Sequence, residues 1–241
     1  APLVALLAHE DQRVRLRAQF ELAGRGSTSI ESFARVAASS PNQLARLHAV
    51  WGLGMIARHG GEPESAMRPL LSLLQDPDLE LRAQAAKVLG ESGWMPAAPQ
   101  LVELIFDPES RVVYHAVMAV GRLGYADGMD AITEMLWSND DEDLLLRHAG
   151  VMALTWLGDR EALLELSRDE FPAVRLAVLL TLRRLGDPAV AGFLQDPDPF
   201  IAAEAARAIN DRPIDDDMPS MVDQLHLFLM DAPASSMSGA L

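Results

Sequence analysis

No cysteine occurs in the 241 residues. Disulfides, thiolate-ligated zinc, a CxxCH haem attachment and a thiol nucleophile are therefore excluded. The compartment stays open, because a cysteine-free chain survives in reducing and oxidising surroundings alike. Aromatic residues make up only 5%, and β-branched residues are sparse beside Ala, Leu and Arg, which favours helices over sheets. Positive charge is also short: 20 Lys and Arg stand against 35 Asp and Glu, a net charge of −15. A duplex-binding surface needs cations to release counterions, so nucleic acid is not expected as a partner. No apolar run reaches the roughly 18 residues of a membrane span. What remains is a chain 49% hydrophobic, too apolar for wholesale disorder. The opening Ala1-Pro2-Leu3 already lies in a helical pattern, and Ala232 to Leu241 is small and polar. Both ends are expected to be cuts within a longer polypeptide.

The chain repeats itself. LRAQAAKVLG at 81–90, YHAVMAVGRLG at 114–124, RHAGVMALTWLG at 147–158 and RLAVLLTLRRLG at 175–186 are variants of one string. Taking Arg82 as an anchor column, the equivalents are Arg15, Arg46, Val113, Arg147, Arg175 and Ala202, spaced 27 to 36 residues apart. Positions −1, +3 and +7 from the anchor are apolar or small in all seven units, with Ala18, Ala49, Ala85, Ala116, Gly150, Val178 and Ala205 in the middle column. Those offsets trace one stripe on a helix of 3.6 residues per turn. Turns such as Asp76-Pro77-Asp78, Asp107-Pro108-Glu109 and Asp196-Pro197-Asp198 precede the anchors, offering caps and a proline that the first helical turn tolerates. Gly124, Gly158 and Gly186 close the helices. A shorter apolar segment lies between one anchor helix and the next turn. Each unit is thus a helix pair, and pairs that cannot bury their faces alone stack. The expected fold is all-α: a right-handed α-solenoid of about seven helix pairs over 1–214, a terminal capping helix over 215–231 centred on Met218–Met230, and a flexible tail over 232–241.

Catalytic chemistry finds little footing. Six histidines are present, and His9, His48, His59, His115, His148 and His226 include no pair at the i,i+4 spacing of a metal-binding helix. No Gly-x-Ser-x-Gly elbow appears. The acidic run Asp140 to Asp143 lacks the spacing of a calcium loop and reads as a helix cap. No metal, cofactor or catalytic residue is expected.

A second stripe is more informative. Offsets near +2, +5 and +9 carry His48, Trp51, Met55, His115, Met118, Arg122, Met152 and Trp156, with Arg147 and His148 adjoining. On the concave side of a solenoid, that mix of Trp, Met, His and Arg matches the composition of interface cores. Two readings stay open. The stripe is a docking surface, or a tightly curved superhelix buries it within itself; a small-ligand site is a third use. The anchor arginines are expected to bridge to the Asp of a neighbouring turn.

The D-P-D-x-x-V/L-R opening, small middle residue and L-G ending resemble bacterial HEAT repeats, and the short repeats of phycobilin lyases are similar. RLHAVWGLG at 46–54, LRHAGVMAL at 146–154 and EAARAINDRPI at 204–214 resemble, more narrowly, the HEAT segment of large secreted bacterial proteins related to sorbosone or glucose dehydrogenases. There a β-propeller precedes the segment and a c-type cytochrome domain follows it. That resemblance implies an extracytoplasmic location and a scaffolding role, with a protein or flanking domains of the same polypeptide as partner. No catalytic or haem residue carries over. The expected function is a non-catalytic interaction scaffold. The alternative is a HEAT-fold enzyme or a lyase-like chromophore-binding protein in which His48, His115 and His148 converge on a ligand.

Overall fold

A computed structural model describes residues 2–59 and 63–211. The terminal helix expected over 215–231 and the tail over 232–241 lie outside the described residues. Within them all regular structure is helical. The α-helices are α1 (Gln12–Ala23), α2 (Ile30–Ser39), α3 (Gln43–His59), α4 (Pro63–Met67), α5 (Leu79–Glu91) and α6 (Ala98–Glu103). They continue as α7 (Ser110–Leu123), α8 (Met129–Asn139), α9 (Leu144–Leu157), α10 (Arg160–Leu166), α11 (Pro172–Leu185) and α12 (Pro199–Asp211). The anchor helices are α1, α3, α5, α7, α9, α11 and α12, each preceded by a shorter partner, and the fold is an all-α solenoid of seven such pairs. The chain divides into two compact units, 1–135 and 136–241, the division falling inside α8.

The −1, +3 and +7 columns form the core, as their period demands. Every residue in them is buried except Val14, which is half-buried. The small middle column lets helices meet closely: a Cβ on Gly150 of α9 would stand 2.6 Å from the Leu136 Cδ2 of α8. At the helix ends, Gly124, Gly158 and Gly186 adopt φ of 65°, 65° and 70°, a left-handed turn that glycine enters without steric cost. The acidic turns cap as expected: Asp11, Asp78, Asp143 and Asp198 each accept the backbone N–H two residues on.

The first members of the pairs depart from a plain α-helical expectation. Leu3–Ala8, Arg68–Gln75 and Pro188–Gln195 are 3-10 helices. A 3-10 coil rises about 2.0 Å per residue against about 1.5 Å in an α-helix. A short segment wound this way reaches along a longer partner before the Asp turn.

The anchor arginines tie one repeat to the next. Arg82 meets Asp107 through Nε and Nη2 at 2.7 and 3.0 Å, and Arg175 meets Asp196 in the same way at 2.8 and 3.0 Å. Arg46 pairs with Asp76. The remaining Nη1 of Arg82 and Arg175 donates to the carbonyls six and five residues back, fastening the turn to its own helix. Each carboxylate stands six residues before the next anchor. Two arginines break the pattern. Ser40 occupies that place for Arg15, which has no carboxylate to reach. Arg147 instead takes Asp141 from its own turn, where Asp140 and Asp141 hold φ of 40° and 62°. The preceding anchor is Val113, which brings no guanidinium to claim Asp141.

Candidate functional site

In the first unit, the second stripe is tied together by polar groups. Arg15 donates through Nη1 to the carbonyls of His9 and Glu10, both at 2.8 Å, and through Nε to His48 Nε2 at 3.1 Å. His48 Nε2 is therefore an acceptor, so Nδ1 carries the proton and donates to Gln19 Oε1 at 2.7 Å. The ring is only 2% exposed. Burial, and then the Arg15 charge, hold its pKa below the ordinary histidine value. Trp51 stands edge-on to it with ring centroids 5.1 Å apart. The indole is half-buried and donates to Gln84 Oε1 at 2.8 Å. Gln84 continues to Glu80, whose carboxylate receives Arg111 through Nε and Nη2 at 2.7 and 2.9 Å. That guanidinium holds Glu80 below the usual carboxylate range.

Met55 accepts from Gln19 Nε2 at 3.3 Å, and Arg122 lies 3.5 Å from Glu91. His115 and Met118 are half-buried on α7. Burial, with help from Arg111 and Lys87, pushes His115 down to about 4. Both ring nitrogens of His48 are committed to neighbouring side chains, which leaves that imidazole nothing to offer a ligand. Among the described residues no group of three or more His, Asp or Glu side chains is arranged to hold a metal ion.

In the second unit, the stripe is open. Leu144, Arg147, His148, Met152 and Trp156 succeed one another along α9. Leu144 is 59% exposed and Trp156 37%; His148 is exposed and Met152 half-buried. Leu180, Arg183 and Arg184 of α11 line a groove with Leu144, Arg147, His148 and Val151 of α9. Sequence reasoning missed Leu144, Val151 and Arg183 as members of this surface. Leu144 lies four residues before His148 and would have been found by extending the helical period back one turn. Arg183 sits one place off the stripe and gave no signal.

The model of the family described as HEAT repeats matches residues 1–68 and 67–155, well over half of the chain. The chain belongs to the HEAT-repeat family. Solved structures with this architecture include the complex of CpcE and CpcF of phycocyanin lyase from Nostoc sp. PCC7120, 17% identical over 94% of this chain and 93% of that one, with a TM-score of 0.52. Another is the Escherichia coli protein YibA, 18% identical over 95% of this HEAT chain and 92% of that one, with a TM-score of 0.56. At that identity they show the fold alone. No curated protein matches the sequence. No described helix is long and apolar enough to cross a membrane.

Proposed function

We propose that this HEAT-repeat chain is a non-catalytic scaffold that holds a partner protein on the exposed face of α9, at His148, Met152 and Trp156. The observation that carries the reading is the exposure of large apolar side chains on that one helix. Leu144, Leu145 and Trp156 are 59%, 66% and 37% exposed. Large apolar side chains exposed along the length of one helix mark docking surfaces, whereas scattered single residues need no explanation. Tryptophan and methionine beside arginine are also the side chains that anchor protein interfaces. The enzyme alternative draws on converging histidines, and the enclosure of His48 works against it.

The finer part of the proposal places the chain between a β-propeller and a c-type cytochrome domain in an extracytoplasmic bacterial protein. It is supported only by the strings at 46–54, 146–154 and 204–214, and reading the flanking coding sequence for a CxxCH tests it. The docking face is tested by capture from an extract of the source organism, with the intact chain, a Met152→Ala/Trp156→Ala variant and a Phe106→Ala control on another surface. Capture lost in the double variant and kept in the control is expected. Equal capture by all three overturns the assignment of the face.

A further inference from the structure

We propose that the groove between α9 and α11 binds an acidic, leucine-bearing peptide segment of the partner protein. The assignment rests on the docking reading of α9 and names the chemistry of its ligand. The groove encloses about 430 Å³. Leu144, Val151 and Leu180 supply its apolar surface, and Arg147, Arg183, Arg184 and His148 supply its polar groups. No carboxylate lies among those lining residues. In a chain of net charge −15, that is a local reversal of sign.

Two other cavities, one in each unit, lack this character. A larger one, about 640 Å³, includes Arg168 and Arg175, but Asp169 and Asp196 line the same cavity, and Asp196 takes the Arg175 guanidinium. A smaller one of about 190 Å³ is lined by Glu103 and Asp107 with no basic residue.

The arginines of the groove are available to a ligand to different degrees. Asp141 contacts Arg147 through Nη1 at 2.7 Å. Arg183 meets Asp211 at 3.2 Å, with a third of its side chain exposed. Arg184 is exposed and makes no ion pair with a described residue. A guanidinium presents parallel N–H groups that match a carboxylate in bidentate fashion. The positions also suit a peptide. Leu144, Arg147 and Val151 line the α9 wall, and Leu180, Arg183 and Arg184 the α11 wall, so each wall sets hydrocarbon beside guanidinium. A chain carrying Asp or Glu next to Leu satisfies both, whereas a small anion uses only the arginines. The net negative charge of the protein opposes approach from a distance. At physiological salt that repulsion is screened beyond about 8 Å, while direct contacts persist.

The test uses the full chain in 150 mM salt and three probes: a fluorescent nonapeptide alternating Leu with Asp or Glu, its Asn/Gln counterpart, and citrate. A charge-assisted hydrogen bond is worth about a tenfold change in affinity or more. The acidic peptide should bind at least about tenfold more tightly than its amide counterpart. Arg184→Glu should weaken it at least about tenfold, and Arg35→Glu, the same charge change on α2, should change it less than about twofold. Citrate should displace the peptide only at far higher concentration. The proposal is overturned by equal losses in the two charge variants, by citrate competing as well as the peptide, or by no measurable binding. An amide peptide that binds equally well, is indifferent to Arg184→Glu and is lost in Met152→Ala/Trp156→Ala would remove the acidic ligand and leave the docking face standing. Indifference to both changes would remove the docking face as well.

Discussion

The second stripe has two fates in one molecule. In the first unit His48 and Trp51 stand at +2 and +5 from their anchor, and a polar network encloses them. In the second unit the same offsets from Arg147 hold Ala149 and Met152. The large side chains there move to His148 and Trp156, and α9 presents them outward. The cause lies in the column six residues before each anchor. Ser40 replaces the carboxylate that Arg15 would have met, so its guanidinium turns along the stripe to His48. From there Gln19 and Trp51 follow, with Gln84 and Glu80 beyond. Arg147 finds its carboxylate in Asp141, and Ala149 offers no polar group to extend a chain of hydrogen bonds. Replacing one small residue in a turn redirects a whole face.

Two substitutions would break that comparison most visibly. Arg175→Ala should have the largest effect. It leaves Asp196, whose side chain is 4% exposed, without its partner and frees the carbonyls of Asp169 and Glu170. Removing one member of a buried pair costs about 3–5 kcal/mol. Arg147→Ala, at the equivalent column, should cost under about 1 kcal/mol because its pair is partly exposed. Urea denaturation of the two variants measures the difference, and equal losses would show that the anchor column does the same work in every repeat. Trp51→Ala should come next, at about 2–4 kcal/mol, since it removes a half-buried indole and leaves Gln84 short of a donor. A near-neutral result would mean that the polar network does not close the first unit.

Most of the fold was legible because the repeat fixes burial through a period that sequence shows directly. Ala116, Leu53 and Leu89 are in the core by the same offset that predicted them. Caps and helix ends were equally plain, since an Asp or Gly there acts on backbone groups a few residues away. The stripe was harder. Its residues could be named, but whether Trp51 or Trp156 faces water depends on what sits opposite, more than thirty residues away. The 3-10 form of Arg68–Gln75 was likewise hidden, because an apolar segment of that length fits either winding until its partner sets the span. Arg15 and Arg147 missed the expected neighbouring-turn bridge for reasons that the repeat contained: Ser40 replaces the carboxylate due to Arg15, and Val113 leaves Asp141 unclaimed in the turn of Arg147 itself.

Acid should sharpen the contrast at smaller cost. His48 and His115 have pKa values below that of an unfolded histidine, about 6.5, and His115 lies at about 4. Between those values the unfolded chain binds the protons more readily. The stability they contribute is thus complete above about 6.5 and is lost as pH falls from there towards 4. Allowing for partial solvent screening, the loss for the two should be on the order of 1–2 kcal/mol. Denaturation midpoints at pH 7 and pH 5 measure it, and His115→Gln should flatten the dependence. An unchanged slope in that variant would place the proton uptake elsewhere.

The smallest effect belongs to Trp156→Ala. Trp156 is 37% exposed at the far end of α9, just before the left-handed Gly158, whereas Trp51 is packed between His48 and Gln84. Trp156 already keeps part of its area in water, so its removal should cost less than that of Trp51, about 1 kcal/mol. Its loss should nevertheless be felt in binding, where a tryptophan anchor is worth about 2 kcal/mol or more. Chemical denaturation beside a binding titration separates the two quantities in one variant. If Trp156→Ala destabilises the chain as much as Trp51→Ala, the second unit is closed as firmly as the first. The scaffold would then have no open face on α9, and docking there would have to be abandoned. A stable variant with weakened binding is the outcome that only an exposed anchor produces.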